Sequence, residues 1–341
     1  GKEPDIIVKY SPYKRIEKDI QRLFNGGYLF LQQIYHELKL HQLCKEISEK
    51  YKFEFNLDSI LSRLVYGRIL FPLSKLGTFE ESKKFIEQPD FKLHQIYRAL
   101  EYLAKEIDFI QSFLYKNSLK ISKRNTGILY YDCTNFYFEI EEEDGIKQYG
   151  ASKDHKPNPI VQMGLFMDGD GIPLAFSLFN GNMNEQLTLK PLEKKILSDF
   201  ELSKFVVCTD AGLSSEANRR FNDREERAFI TTQSVKKLKA HLKKWALDPT
   251  GWKLSGSDKI HDISKLDEMI EKADAKGKER IRSMVFYKER WIKEDDFEQK
   301  LIVTYCVRYR DYQRSIRNSQ IERAEKIMEQ NPSVIKKSRQ N

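Results

Sequence analysis

GILYYDC (residues 127–133) and KFVVCTD (residues 204–210) decide the fold. Both are short apolar runs rich in β-branched and aromatic residues, and both meet an acid at the end. KFVVCTD in particular predicts a strand buried on both faces. Between them, IVQMGLFM (160–167) and IPLAFSLF (172–179) are joined by Asp168, Gly169, Asp170 and Gly171, a strong hairpin signal. NEQLTLKPLEKKILSDF (184–200) then sets Leu187, Leu192, Ile196 and Leu197 in helical register behind Asn184 as N-cap. SSEANRRFNDR (214–224) reads as a helix capped by Ser214, and AFITTQ (228–233) as one more strand. The order strand, strand, strand, helix, strand, helix, strand predicts an α/β fold, a mixed sheet with helices on its faces. A right-handed crossover lays the 204–209 strand parallel to the 127–132 strand. Asp132 and Asp210 then end neighbouring strands on one edge, where two carboxylates do not both ionise cheaply unless a cation lies between them.

Upstream, residues 12–124 read as helical throughout, with Ile16, Ile20 and Leu23, and later Ile60, Leu61, Leu64 and Val65, at three- and four-residue spacing. Lys14, Arg15, Arg63, Arg68, Lys75, Lys83, Lys84 and Arg98 are interleaved with aromatics there, a pattern that suits DNA-contacting helices or any solvated helix face. Downstream, charged helical stretches (235–247 and 264–281) alternate with two β-rich runs, RSMVFYKERWI (282–292) and QKLIVTYCVRY (299–309). A polar helix, YQRSIRNSQIERAEKIMEQ (312–330), follows. The expected organisation is a helical, DNA-binding region over 1–124, a core over 125–233 and an α+β insertion over 234–341.

Composition narrows the class. With 341 residues, 40% hydrophobic, 32% charged, 16 Gly and 10 Pro, the chain has material for two or three packed units and is neither collagen-like nor wholly disordered. No run of about 18 apolar residues predicts a membrane span. Lys and Arg exceed Asp and Glu by 59 to 51, a formal +8 that favours a polyanionic partner. Cys44, Cys133, Cys208 and Cys306 stand far apart, the six histidines are scattered, and no signal peptide opens the chain, so a reducing cytoplasm is expected and a structural zinc is not.

YYDCTNFYFE (130–139), GASKDHKPNPIVQMGLFMDGDGIPLAFSLFNGN (150–182) and VVCTDAGLSS (206–215) together resemble the successive blocks of DDE transposases from bacterial insertion sequences, closest to the large IS-four-like group. PLSKLGTFEES (72–82) is similar to that family's N-terminal part. The resemblance implies a ribonuclease-H-like core interrupted by an inserted domain. It also implies metal-dependent cleavage and strand transfer at element ends, with double-stranded DNA as partner, a homodimer on DNA and a cytoplasmic, nucleoid-associated location. Asp132 and Asp210 match the first two acids of a triad that holds two Mg²⁺ (or Mn²⁺) ions, hard cations that take oxygen ligands. Taken without the blocks, Asp132 reads first as a strand-end carboxylate capping a loop and Asp210 as a helix or turn cap. Lys153, Asn180 and Asn182 flank the expected site as possible phosphate contacts, or serve only turn chemistry, and Glu141 to Asp144 read as a solvated loop.

The third acid of the resemblance is a Glu on a helix after the insertion, within a Tyr-x-x-Arg spacing followed by Glu and Lys. Tyr287, Arg290, Trp291 and Glu294 imitate it, but their run predicts a strand and hairpin. Glu322 and Glu325 predict an exposed helix face. The chain is therefore expected to stop inside or just after the insertion, before the core is complete, leaving apolar sheet surface open and activity weak. Two other readings stay open, a DNA-binding remnant that interferes with an intact enzyme, and a ribonuclease-H-like metal-dependent nuclease.

Overall fold

Apolar residues at helical spacing wind the first part of the chain into α1 (Leu29–Glu37), α2 (Leu40–Tyr51), α3 (Leu57–Leu70), α4 (Lys75–Ser82), α5 (Leu93–Lys105) and α6 (Ile107–Ile121). Their inward faces share one core around Tyr28, Leu43, Ile47, Ile60, Tyr66, Phe85 and Ile96. The starts are chemically marked: Asn56 accepts the Ser59 N–H at 3.0 Å and Ser74 the Gly77 N–H at 3.1 Å, caps worth about 1 kcal/mol each. The computed structural model describes residues 23–294 and 296–330. The expected helical positions Lys14, Arg15, Ile16 and Ile20 lie outside the described residues. The chain divides into two compact units, Gly1–Thr231 and Thr232–Asn341.

The rest of the first unit is a five-stranded sheet: β1 (Ile128–Tyr137), β2 (Ile160–Asp168), β3 (Pro173–Asn180), β4 (Val206–Thr209) and β5 (Ala228–Thr231), in the order β3-β2-β1-β4-β5. β1 is antiparallel to β2 and β2 to β3, whereas β4 runs parallel to both β1 and β5. Three antiparallel strands followed by two parallel ones on the far side of the first strand make this a ribonuclease-H-like mixed sheet. The β2–β3 turn is the Asp-Gly link, with Gly171 at φ +79°, a value glycine adopts without strain. α7 (Leu189–Asp199) packs Leu189, Leu192 and Ile196 onto Leu129, Tyr131 and Val207, and α8 (Glu216–Asn222) follows β4.

Four local expectations need correction. The first strand does not end at Asp132 but runs on to Tyr137, because β2 goes on pairing with it as far as Ile160, so only Asp210 follows a strand end. Asn184 caps the short 3-10 turn Glu185–Leu187, not α7 itself, and Ser215 rather than Ser214 caps α8, accepting the Asn218 N–H. The 204–210 run is not buried on both faces: Val207 is fully packed, but Val206, Cys208 and Thr209 are only partly so. The physical reason is that the described helices fill one side of the sheet. Ile128, Tyr130, Leu178 and Ile230 accordingly stay exposed on the other.

The second unit holds β6 (Lys253–Leu254), β7 (Val285–Glu294) and β8 (Phe297–Cys306) in that order, all antiparallel. With them go α9 (Ala240–Leu247), α10 (Leu266–Lys272), α11 (Ala275–Ser283) and α12 (Val307–Gln330). Trp252, Leu266, Phe286 and Val307 form its core. The imitation of the third-acid motif is indeed a hairpin, with Glu294 paired to Phe297 at its tip and bonded to Lys239 at 3.0 Å. Glu322 and Glu325 are exposed on α12.

Candidate active site

The parallel register sets the site. Tyr131 pairs with Thr209 as the last rung between β1 and β4, so the next residues, Asp132 and Asp210, stand level on adjacent strands. Asp210 is still extended (φ −79°, ψ 179°) before the chain turns into the Ala211–Leu213 3-10 turn. Along β1 the odd residues Leu129, Tyr131, Cys133 and Asn135 are buried, which turns Asp132 to the open face of the sheet, where its side chain is 68% exposed.

Each carboxylate is oriented through one oxygen. Asp132 Oδ1 accepts the Cys133 N–H at 2.8 Å, and Asp210 Oδ1 accepts the Gly212 and Leu213 N–H groups at 3.1 and 3.2 Å. Thr231 at the end of β5 fastens the same turn, donating to the Asp210 carbonyl at 3.1 Å and accepting from Thr209 at 3.0 Å. Oδ2 of both acids carries no hydrogen bond among the described residues. This donor set suits a hard divalent ion that keeps several waters, with Asp132 and Asp210 as its protein ligands. Among the described residues no third His, Cys, Asp or Glu joins them to close a cage.

Lys153 lies beside Asp132. Its ammonium lies 3.9 Å from Asp132 Oδ1 and donates to the Cys133 carbonyl. Asn180 and Asn182 fall at the end of β3 and just beyond it, where neither side chain makes a hydrogen bond among the described residues. What matters there is the backbone between them: Gly181 donates to the Ile146 carbonyl at 3.1 Å, and a Cβ on it would lie 2.1 Å from the Ile160 oxygen and 2.3 Å from that of Gln148. In the helical region Arg63 is held by the Glu87 carbonyl at 2.8 Å and the Ser62 hydroxyl at 3.1 Å, while Arg68 and Lys75 have no ion pair with a described residue. Lys83 and Lys84 are paired to Glu80 and Glu81.

Several residues that hold the site gave no signal in the sequence. Tyr131 donates to Thr188 at 2.7 Å, Thr188 donates to the Glu185 carbonyl at 2.6 Å, and the Cys133 thiol touches both hydroxyl groups. Burial, with a smaller contribution from the nearby Glu185 charge, pushes the Tyr131 phenol and the Cys133 thiol up. Asn218, buried on α8, donates to the carbonyls of Gln186 and Leu213 at 3.0 Å and so ties the 3-10 turns on either side of the site together. Such residues read as ordinary core or helix positions until the strands are paired.

No family model matches the chain, and no curated protein matches it. Among solved structures it is similar to the piggyBac transposase synaptic complex with hairpin DNA, seen by cryo-EM, at a TM-score of 0.32 and 11% identity over 77% of this chain and 56% of that one. It is also similar to the Mos1 transposase paired-end complex with left transposon end, at a TM-score of 0.20 and 15% identity over 63% and 58%. The chain thus spans a little over half the length of each, and likenesses this distant carry no weight on the site. The strand order and the level pair of acids define the class on their own: a ribonuclease-H-like domain with two carboxylates at the end of its central parallel pair.

Proposed function

We propose that this chain performs, or derives from a protein that performs, metal-dependent cleavage and joining of DNA ends, as a transposase of the DDE type. The observation that carries the reading is the level placement of Asp132 and Asp210 one residue past the last β1–β4 rung, each with one oriented and one free oxygen. When bound, Mg²⁺ or Mn²⁺ would supply the Lewis acidity that activates an attacking oxygen and stabilises a leaving one. The protein's part is to present the two carboxylates on a rigid rung, with Thr231 and the Gly212 and Leu213 N–H groups fixing Asp210, and Lys153 balancing charge beside Asp132. Arg68 and Lys75, basic and outside the ion pairs of the described residues, and the Asn180–Asn182 turn are proposed to meet DNA phosphates; Arg63, already engaged by Glu87, is proposed to shape that surface. The +8 charge agrees with a polyanionic partner.

Because only two acids come together among the described residues, the ion would be held mostly through water and turnover by this chain alone is expected to be low. The same observation favours a second reading, attachment to DNA without cutting. The test is incubation of the full chain with duplexes carrying the flanking ends of its own element, with Mg²⁺ or Mn²⁺. Nicking or joining that disappears in Asp132→Asn and Asp210→Asn supports the first reading, and equal rates in those variants overturn it. Binding with no metal-dependent cut supports the second, and cutting without preference for ends points to a nuclease.

A further inference from the structure

Beyond Tyr131, β1 continues but β4 has ended, so the side of β1 that faced β4 becomes an open edge. The Val206 N–H bonds to the Gly127 carbonyl, which means that the odd-numbered residues of β1 turn their backbone polar groups toward β4. At Cys133 those groups have no strand partner. Its N–H is taken by Asp132 Oδ1 and its carbonyl by the Lys153 ammonium, so an acid and a base from the site itself close the edge.

Lys153 is held there by a second set of contacts. The buried Asn135 accepts the Lys153 N–H at 3.2 Å and donates to the Ala151 carbonyl at 3.3 Å, gripping the loop from both sides. Behind it, Gly150 is pressed against Gly181, with room for no Cβ. The loop is therefore built to deliver one ammonium to the Asp132 carboxylate, 3.9 Å away.

We infer that Lys153 is a tethered cation that competes with the divalent ion for Asp132 and sets the affinity of the metal site. In the metal-free protein it offsets the repulsion between Asp132 and Asp210; an arriving ion places like charge beside it, and the ammonium is displaced toward solvent or an incoming phosphate. The Lys153 side chain is 47% exposed, so solvent screens the competition and the effect is moderate rather than absolute. This inference rests on the metal-site reading above and adds a residue that tunes the site without belonging to its ligands.

The test is Mn²⁺ binding to the full chain by electron paramagnetic resonance, with no DNA and no turnover. Asp132→Asn first establishes that the ion observed is the one at this site. Lys153→Met is then expected to tighten Mn²⁺ binding about three- to tenfold, the size of one screened like charge removed from near a dication. Lys153→Arg, which keeps the charge, should stay within about twofold, and Asn135→Ala, which frees the loop, should move affinity in the same direction as Lys153→Met but less. Unchanged or weaker binding in Lys153→Met, with Asp132→Asn still abolishing it, overturns the role of Lys153 alone. Absence of any Mn²⁺ signal that depends on Asp132 overturns the metal-site reading and this inference with it.

Discussion

Asp132 and Asp168 sit on adjacent strands of one sheet, each close to an arginine or lysine, and their situations are opposite. Asp168, at the end of β2, is fully buried, and so is its partner Arg124, whose Nε lies 2.5 Å from Oδ2. Oδ1 of Asp168 accepts the N–H groups of Asp170 and Ile172, and Arg124 donates further to Ser118, Ile172 and Pro173. Burial works to raise the Asp168 carboxyl, but Arg124 and the turn N–H groups together hold it below the ordinary carboxylate range. Asp132 has one oxygen committed, one free, and a lysine that can leave. A buried ion pair with both carboxylate oxygens and all three guanidinium nitrogens engaged is a piece of structure; a carboxylate with a free oxygen and a replaceable cation can take a ligand.

The largest effect should separate the two. Asp168→Ala leaves Arg124 buried without a counter-charge and is expected to destabilise the first unit by about 3–5 kcal/mol, read as a lowered urea midpoint. Asp132→Asn should leave that midpoint in place, yet lower any metal-dependent cutting by about 10²–10³-fold, the rate equivalent of several kcal/mol of charge stabilisation removed. A midpoint that falls as far in Asp132→Asn as in Asp168→Ala would break the comparison.

Next in size is Gly181→Ala, where the new Cβ meets the backbone oxygens of Ile160 and Gln148 rather than a side chain that can rotate away. A cost of about 1–3 kcal/mol is expected from such crowding. Because the same turn supports the Lys153 loop, Mn²⁺ affinity should shift as well.

A smaller, pH-dependent effect sharpens the contrast between buried acids. Glu193 on α7 is buried against Arg227 and Asn222, and burial pushes its carboxyl up to about 7 despite both partners. A raised value means that its contribution to stability is present in acid and is lost as pH climbs from the ordinary 4.5 through 7. Asp168 has the opposite sign: its contribution is present above the ordinary 3.8 and is lost as pH falls below it. Glu193→Gln should flatten the pH dependence of the urea midpoint between 4.5 and 7, and an unchanged slope there would argue that Glu193 stays ionised. The smallest effect concerns Arg68 and Lys75: alanine at either should reduce the salt slope of DNA binding by about 0.9 for each phosphate no longer neutralised, whereas Arg63→Ala should mainly free the Glu87 segment.

Sequence by itself determined the elements and their order, because apolar periodicity and the Asp-Gly link are local properties that a strand or helix cannot avoid expressing. It also marked Asp132, Asp210 and Lys153, and the run around Glu294 was legible as a hairpin. It read Asp168 only as part of the Asp-Gly link and could not show that it is buried against Arg124 while Asp132 stays exposed, because burial and committed lone pairs exist only once strands pair. Nor could it show Tyr131, Thr188, Asn218 or Asn135 as the residues that hold the site, because each meets its partner across strands or turns distant in sequence. Which face of the sheet is covered was decided by helix packing, and Asp132 and Asp210 stand level because the parallel register of β1 on β4 pairs Tyr131 with Thr209 just before them.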